Sequence, residues 1–235
     1  MTIWSTATAL SLAWNWRAHS QLLKNKRIMA PRKKALPRAW QRMLSGRRLD
    51  LLDPSPMDIE LEDIAHGLAR VARWNGQTTG DHALSVAQHS LLVEQIKSEL
   101  RTDLPKRWQL AALVHDAPEY VVGDLITPFK SAIGLDYREL EDRLLQAVHI
   151  RFGLPGELPK TITKLIKRAD KMAAFLEATQ LAGFSDEEAR RFFTVPRGLS
   201  EQALRKFRKI VPLPVIDAQI MFIKRFEELI SSIKS

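Results

Sequence analysis

The stretch Leu110-Ala-Ala-Leu-Val-His-Asp-Ala-Pro-Glu119 decides how this chain reads. Leu110, Leu113 and Val114 recur at the helical period, so an apolar face runs straight into the His115-Asp116 pair. Burying a carboxylate beside an imidazole without a partner is costly, and a bound cation would remove that cost. Imidazole and carboxylate donors together suit Zn, Mn, Fe or Co. Neighbouring helical positions point about 100° apart, so both reach one ion only where the helix edge lines a cleft. Glu119 comes three residues after Asp116 and four after His115, on their face, where it can handle a proton without ligating. Pro118 has no backbone N–H and ends or kinks the helix. Gly123-Asp124 then turns the chain, Thr127 follows, and Lys130 offers a point charge suited to phosphate. A His-Asp pair alone is a weak signal, and paired buried charges are often purely structural. The whole string, His-Asp-x-x-Glu-x-x-x-x-Asp-x-x-Thr-Pro-x-Lys, is far more specific.

Outward from this block the helical period continues. Ile59–Ala72, Asp81–Leu100, Lys106–Glu119, Asp136–Phe152, Pro159–Leu181, Ser185–Phe193 and Ile216–Ile233 each carry apolar residues at helical spacing. Ser185-Asp-Glu-Glu is a capping sequence, and Gly153 stops the helix before it. No run alternates at period two, nothing repeats, and no glycine-rich phosphate loop is present. An all-α domain is expected.

The chain has 235 residues, 45% of them apolar, enough for a sizeable core and too apolar for overall disorder. It contains no cysteine, which excludes disulfides, Fe–S clusters, thiolate zinc sites and a cysteine nucleophile. No apolar run approaches the roughly 20 residues that span a bilayer, so no membrane partner is expected. The formal charge of +9 invites a polyanion-binding reading. Its distribution argues otherwise. Residues 1–50 hold eleven Lys and Arg and the single acid Asp50, a charge of +10. Residues 51–235 are nearly balanced at −1. The expected organisation is a basic, flexible arm over 1–50 and a globular body over 51–235. Within the arm the basic residues follow the short apolar run, the reverse of a signal peptide, so the expected location is cytoplasmic. Met29 opens Met-Ala-Pro-Arg-Lys-Lys and is the expected natural start, with residues 1–28 an upstream extension.

These residues resemble the HD-domain phosphohydrolase superfamily, in particular its 5′-deoxynucleotidase-like branch and the related phage-type deoxynucleotide triphosphohydrolases. The resemblance spans about Leu51 to Leu181. It is carried by Asp63-Ile-Ala-His-Gly-Leu, Ala72-Arg-Trp-Asn-Gly, Ser85-Val-Ala-Gln-His-Ser, the His115-to-Lys130 block and Arg168-Ala-Asp-Lys. It implies an HD-domain helical bundle in which His89, His115, Asp116 and Asp170 hold one divalent metal ion (Mn, Co, Zn, Fe or Mg). It implies Glu119 and Asp124 as catalytic residues. It places Arg73, Trp74, Thr127 and Lys130 against a nucleotide substrate, probed as phosphate contacts and a base platform. It also implies a homodimer. The Asn75-Gly76-Gln77 stretch departs from the nucleotidase pattern toward the phage-type group, and the arm and much of Phe184–Pro214 have no counterpart.

The resulting expectation is a metal-dependent phosphohydrolase, foremost a 5′-deoxynucleotidase releasing phosphate from deoxynucleoside monophosphates. A triphosphohydrolase and a (p)ppGpp-type hydrolase are the alternatives within enzymes, and nucleic-acid binding through the basic arm is the non-enzymatic one. Among the remaining histidines, His66 reads as a packed core residue, His82 as a solvated helix-start residue, and His149 as a surface residue. Glu141 and Asp142 read as a solvated face, and Phe192-Phe193 and Met221-Phe222 as core or dimer contacts.

Overall fold

A computed structural model describes residues 38–125 and 135–234. Among them are nine helices, α1 Leu61–Arg70, α2 Val86–Leu100, α3 Arg107–Leu113, α4 Glu119–Val122, α5 Leu135–Arg151, α6 Lys160–Gln180, α7 Asp186–Phe192, α8 Glu201–Lys206 and α9 Val215–Lys234, with a main core and a smaller apolar cluster of Phe175, Ala178 and Ala189 between α6 and α7. Most of the apolar stripes expected from sequence are faces the helices bury; on α9 the stripe expected at Ile220, Ile223, Phe226 and Ile230 is displaced, with Ile220 exposed and Ala218, Phe222, Phe226 and Leu229 buried. Ile64 and Leu68 of α1, Ile96 of α2, Leu110 and Leu113 of α3, Leu144 of α5 and Phe222 of α9 are all fully enclosed. Helices α2 and α6 pack along each other, and α9 lies across α1, α2 and α3. The Arg225 guanidinium binds both oxygens of buried Glu94 (3.0 and 2.8 Å) and fastens α9 to α2. No described helix is long and apolar enough to cross a membrane.

Several boundaries move for local reasons. Helix α2 begins at Val86 because the Ser85 hydroxyl accepts from the Gln88 N–H (3.2 Å) as an N-cap. Ser185 and Glu188 form the expected capping box at α7. The stretch expected as one helix over Lys106–Glu119 breaks at Leu113, and a series of turns leads into α4. Helix α4 can pack closely on α1 because Gly67 has no side chain, since a Cβ there would lie 2.7 Å from Tyr120 Cβ. The helix α8 was not foreseen.

A short antiparallel hairpin, β1 Trp40–Arg42 with β2 Arg48–Asp50, is the largest departure. Leu49 is fully buried in the core, and Asp63 of α1 accepts from the N–H (2.9 Å) and hydroxyl (2.5 Å) of Ser45 in the hairpin turn. The compact body therefore starts at Ala39 rather than Leu51, and Arg42, Arg47 and Arg48 belong to it. Residues 1–37 of the expected arm lie outside the described residues.

Lys97 of α2 is fully enclosed, and its ammonium meets no hydrogen-bond partner among the described residues. Burial pushes its pKa down from 10.5 to about 8. Glu94 opposes that shift, while Lys106 and Arg101 reinforce it. Between about pH 8 and 10.5 the unfolded chain keeps a proton that the folded chain releases, so folding stability rises with pH across this window. Lys97→Met, similar in length and uncharged, is expected to be more stable than the parent at pH 7. Urea melts should show that advantage shrinking as the pH approaches 10.5.

Candidate metal centre

Three separate elements bring four side chains together. His89 sits in the first turn of α2 and is fully buried. Asp170 comes from the middle of α6. His115 and Asp116 lie on the turns after α3, where the N–H groups of His115, Ala117 and Glu119 bond three residues back, to Ala112, Val114 and Asp116. Leaving the regular helix is what lets two successive residues face one point. Asp116 Oδ2 stands 3.4 Å from His89 Nε2 and 3.2 Å from His115 Nε2, and Asp170 Oδ1 stands 3.3 Å from His89 Nε2. One ring nitrogen each of His89 and His115 and one carboxylate oxygen of Asp170 fall within 4.8 Å of one another, close enough to share a metal ion.

The donor set fits a cation. His115 Nδ1 lies 2.9 Å from the Ala112 carbonyl, which can only accept, so Nδ1 carries the hydrogen and Nε2 presents its lone pair. His89 Nδ1 likewise faces a carboxylate oxygen, Glu177 Oε1, at 2.5 Å. Both Nε2 atoms are buried without a hydrogen-bond partner. Donors about 2.1 Å from a shared ion stand roughly 3.0–3.4 Å apart in octahedral or tetrahedral array, which matches the spacings here. The local field also favours positive charge. Burial and Arg73 oppose a second proton on His89, but Glu177, Asp116 and Asp170 outweigh them and raise its pKa well above the usual range. Burial disfavours ionised Asp116, yet the His115 and His89 rings hold its carboxyl well below the usual range.

The expected substrate residues sit beside this cluster but are differently engaged. Backbone bonds from Arg73 N to Leu84 O (2.8 Å) and from Val86 N to Val71 O (3.0 Å) tie the Arg73–Gly76 turn to the start of α2. Arg73 is held by Asp124 (3.0 Å) and Glu177 (3.4 Å), rather than standing free for phosphate. Burial works against its charge, but Glu177, Asp124, Asp116 and Asp170 more than offset that and raise its pKa. Trp74 donates from Nε1 to Glu177 Oε2 (3.0 Å) and packs against Phe184 and Phe193, with centroids 5.7 and 5.6 Å away. Glu119 opens α4 and is buried. The charges of Glu119 and Asp124 both reach Tyr137, whose hydroxyl is raised first by burial, then by its Glu141 hydrogen bond, then by these two acids. Thr127 and Lys130 lie outside the described residues.

Among the other histidines, His66 is half-buried and His82 exposed. His149, expected at the surface, is buried instead, with Nδ1 3.1 Å from the Gly156 carbonyl. The loop after α5 folds back over it, and helical spacing does not reveal such a cover. Phe222 is core, whereas Met221 and Phe192 are exposed. Glu177 was missed by the sequence reading. Its signal was available: a lone acid in the apolar run Met172-Ala-Ala-Phe-Leu-Glu-Ala, two turns beyond Asp170 and so on the same face of α6.

The family model for YfbR-like 5′-deoxynucleotidases matches residues 64–210, which include every described residue of this cluster. An uncharacterized protein of Rhodobacter capsulatus is 67% identical over 161 residues, covering 68% of this chain and 82% of that protein. The uncharacterized protein YfdR of Escherichia coli is 30% identical over 172 residues, covering 73% and 85%. Among solved structures, the HD phosphohydrolase DatZ of cyanophage S-2L, bound to dA and one catalytic Zn2+ ion, aligns with a TM-score of 0.44 at 21% identity. That alignment covers 74% of this chain and 97% of DatZ.

Proposed function

This chain belongs to the YfbR-like 5′-deoxynucleotidase family of HD-domain metal-dependent phosphohydrolases, and from that premise we propose that it hydrolyses deoxynucleoside 5′-monophosphates to the deoxynucleoside and orthophosphate. The observation that carries this reading is the convergence of the His89 and His115 Nε2 atoms with an Asp170 oxygen, with Asp116 Oδ2 set against both rings, within the matched residues.

His89, His115, Asp116 and Asp170 would hold one divalent ion. When bound, such an ion supplies Lewis acidity toward a phosphoryl oxygen and makes a water more acidic. The chain's own groups do the rest. Glu119 takes the proton from the attacking water or delivers one to the departing 5′-oxygen. Asp124, held by Arg73, fixes the position of that exchange on the loop after α4. Arg73 brings positive charge to where the phosphoryl group gains negative charge. Two of its nitrogens are taken by carboxylates, while Nε is buried with no acceptor among the described residues. Trp74, with Phe184 and Phe193 behind it, gives an aromatic wall beside the site.

The test is a screen of deoxynucleoside mono- and triphosphates and (p)ppGpp with Mn, Co, Zn and Mg, with products resolved by ion-exchange chromatography. Orthophosphate released from monophosphates is the expected result. Intact triphosphate from a deoxynucleoside triphosphate, or pyrophosphate from (p)ppGpp, would replace this reading with the corresponding hydrolase.

A further inference from the structure

We propose that Glu177 is a positioning residue that serves both halves of the site at once: it sets the His89 tautomer that faces the His/Asp cluster, and it pins the Arg73-Trp74 turn. The inference rests on the metal-site reading above and extends it to a residue outside the ligand set.

Glu177 is fully buried, and its two oxygens are divided between two tasks. Oε1 meets His89 Nδ1 at 2.5 Å. Oε2 accepts from Trp74 Nε1 at 3.0 Å and from Arg73 Nη2 at 3.4 Å. An ionised carboxylate is the one side chain of this size that accepts on both sides. On the first side it keeps the hydrogen on Nδ1, so Nε2 keeps the lone pair that points at Asp116 and Asp170. On the second side it holds a backbone that would otherwise relax. Trp74 (φ 57°, ψ 27°) and Asn75 (φ 51°, ψ 32°) are successive non-glycine residues in the left-handed region. Each is strained for a residue with a Cβ and persists only where its surroundings enforce it. The indole bond to Glu177, the packing on Phe184 and Phe193, and the Arg73 pairs supply that enforcement.

Glu177→Gln separates the two tasks without changing the size of the side chain. A Gln has one acceptor oxygen and one NH2. The guanidinium and the indole N–H both demand the oxygen, which turns the NH2 toward His89. Nδ1 must then give up its hydrogen and Nε2 must take it, which removes the lone pair from the cluster.

The measurement is a Co2+ titration of metal-free protein, followed by the visible absorption of the bound ion, with urea melts as a check on folding. Glu177→Gln is expected to unfold cooperatively and to bind Co2+ roughly 10- to 100-fold more weakly than the parent. A merely structural role would lower the melting midpoint and leave the Co2+ affinity of the folded fraction unchanged. If the Gln variant does not fold, Glu177→Asp carries the same expectation, because it keeps the buried charge but withdraws it from Nδ1 by one methylene. Equal Co2+ affinity in the parent and a folded variant overturns the role given to Glu177. Absence of Co2+ binding by the parent overturns the metal-site reading beneath it, a distinct result.

Discussion

Glu119→Gln is expected to fold, to bind Co2+ as the parent does, and to turn over nucleotide about 10²- to 10⁴-fold more slowly, the usual contribution of a placed general acid or base. The reason lies in what the substitution leaves alone. Glu119 begins α4 one turn after the His115-Asp116 pair, with its N–H on the Asp116 carbonyl (3.0 Å) and its own carbonyl accepting from Gly123 (2.9 Å). Those backbone bonds do not involve the side chain, so the corner that presents His115 and Asp116 stays in place. Gln preserves the volume of a buried side chain but cannot exchange a proton at neutral pH. A kcat near the parent value with metal still bound would remove Glu119 from the proton-handling role and shift attention to Asp124.

The contrast between Glu119 and Glu177 shows which parts of this site a sequence makes legible. Glu119, His115, Asp116 and Asp124 lie within ten residues of one another, so a linear spacing describes a local geometry. His89 and Asp170 could be attached only through the resemblance, because nothing local in α2 or α6 says that those helices pack together. Glu177 belongs to neither class. Its partners His89, Arg73 and Trp74 are some 88 to 104 positions away, and only the α2–α6 packing reveals its three bonds. The clamp on Arg73 by two carboxylates depends on the same packing.

The fold divides in a similar way. Helices longer than about ten residues declare themselves by periodicity, and their ends move by only a few residues, toward caps such as Ser85. Strands of three residues are too short to show a period of two, so the hairpin at Trp40–Asp50 was absorbed into a charge-rich arm. Leu49 gave no sign of its burial, because the contacts that enclose it come from helices later in the chain. Charge was therefore a poor guide to the boundary: three arginines of the presumed arm decorate a folded element whose apolar side is core.

Asp116→Ala should differ from Glu119→Gln in losing metal as well as turnover, while the metal-free fold survives. Asp116 is the carboxylate that faces both imidazoles, at 3.4 Å from His89 and 3.2 Å from His115. Its removal leaves two histidines and Asp170, which stands 3.3 Å from His89 Nε2. Lewis-acid stabilisation is worth several kcal/mol, so kcat/KM is expected to fall by at least about 10³-fold. The stability effect is the sharper signature. Burial disfavours ionised Asp116, but the His115 and His89 rings more than offset that, so the carboxylate contributes stability to the metal-free fold at neutral pH. Its deletion removes that pairing but costs little packing, since the Asp116 side chain is 24% exposed. The metal-free variant should therefore melt somewhat below the metal-free parent, and still cooperatively. Saturating Co2+ should then stabilise the parent by about 2.7 kcal/mol at a hundredfold excess over its Kd, and stabilise the variant by almost nothing. A variant that gains as much from Co2+ as the parent does would show that the ion sits elsewhere, and that Asp116 only pairs with the two histidines.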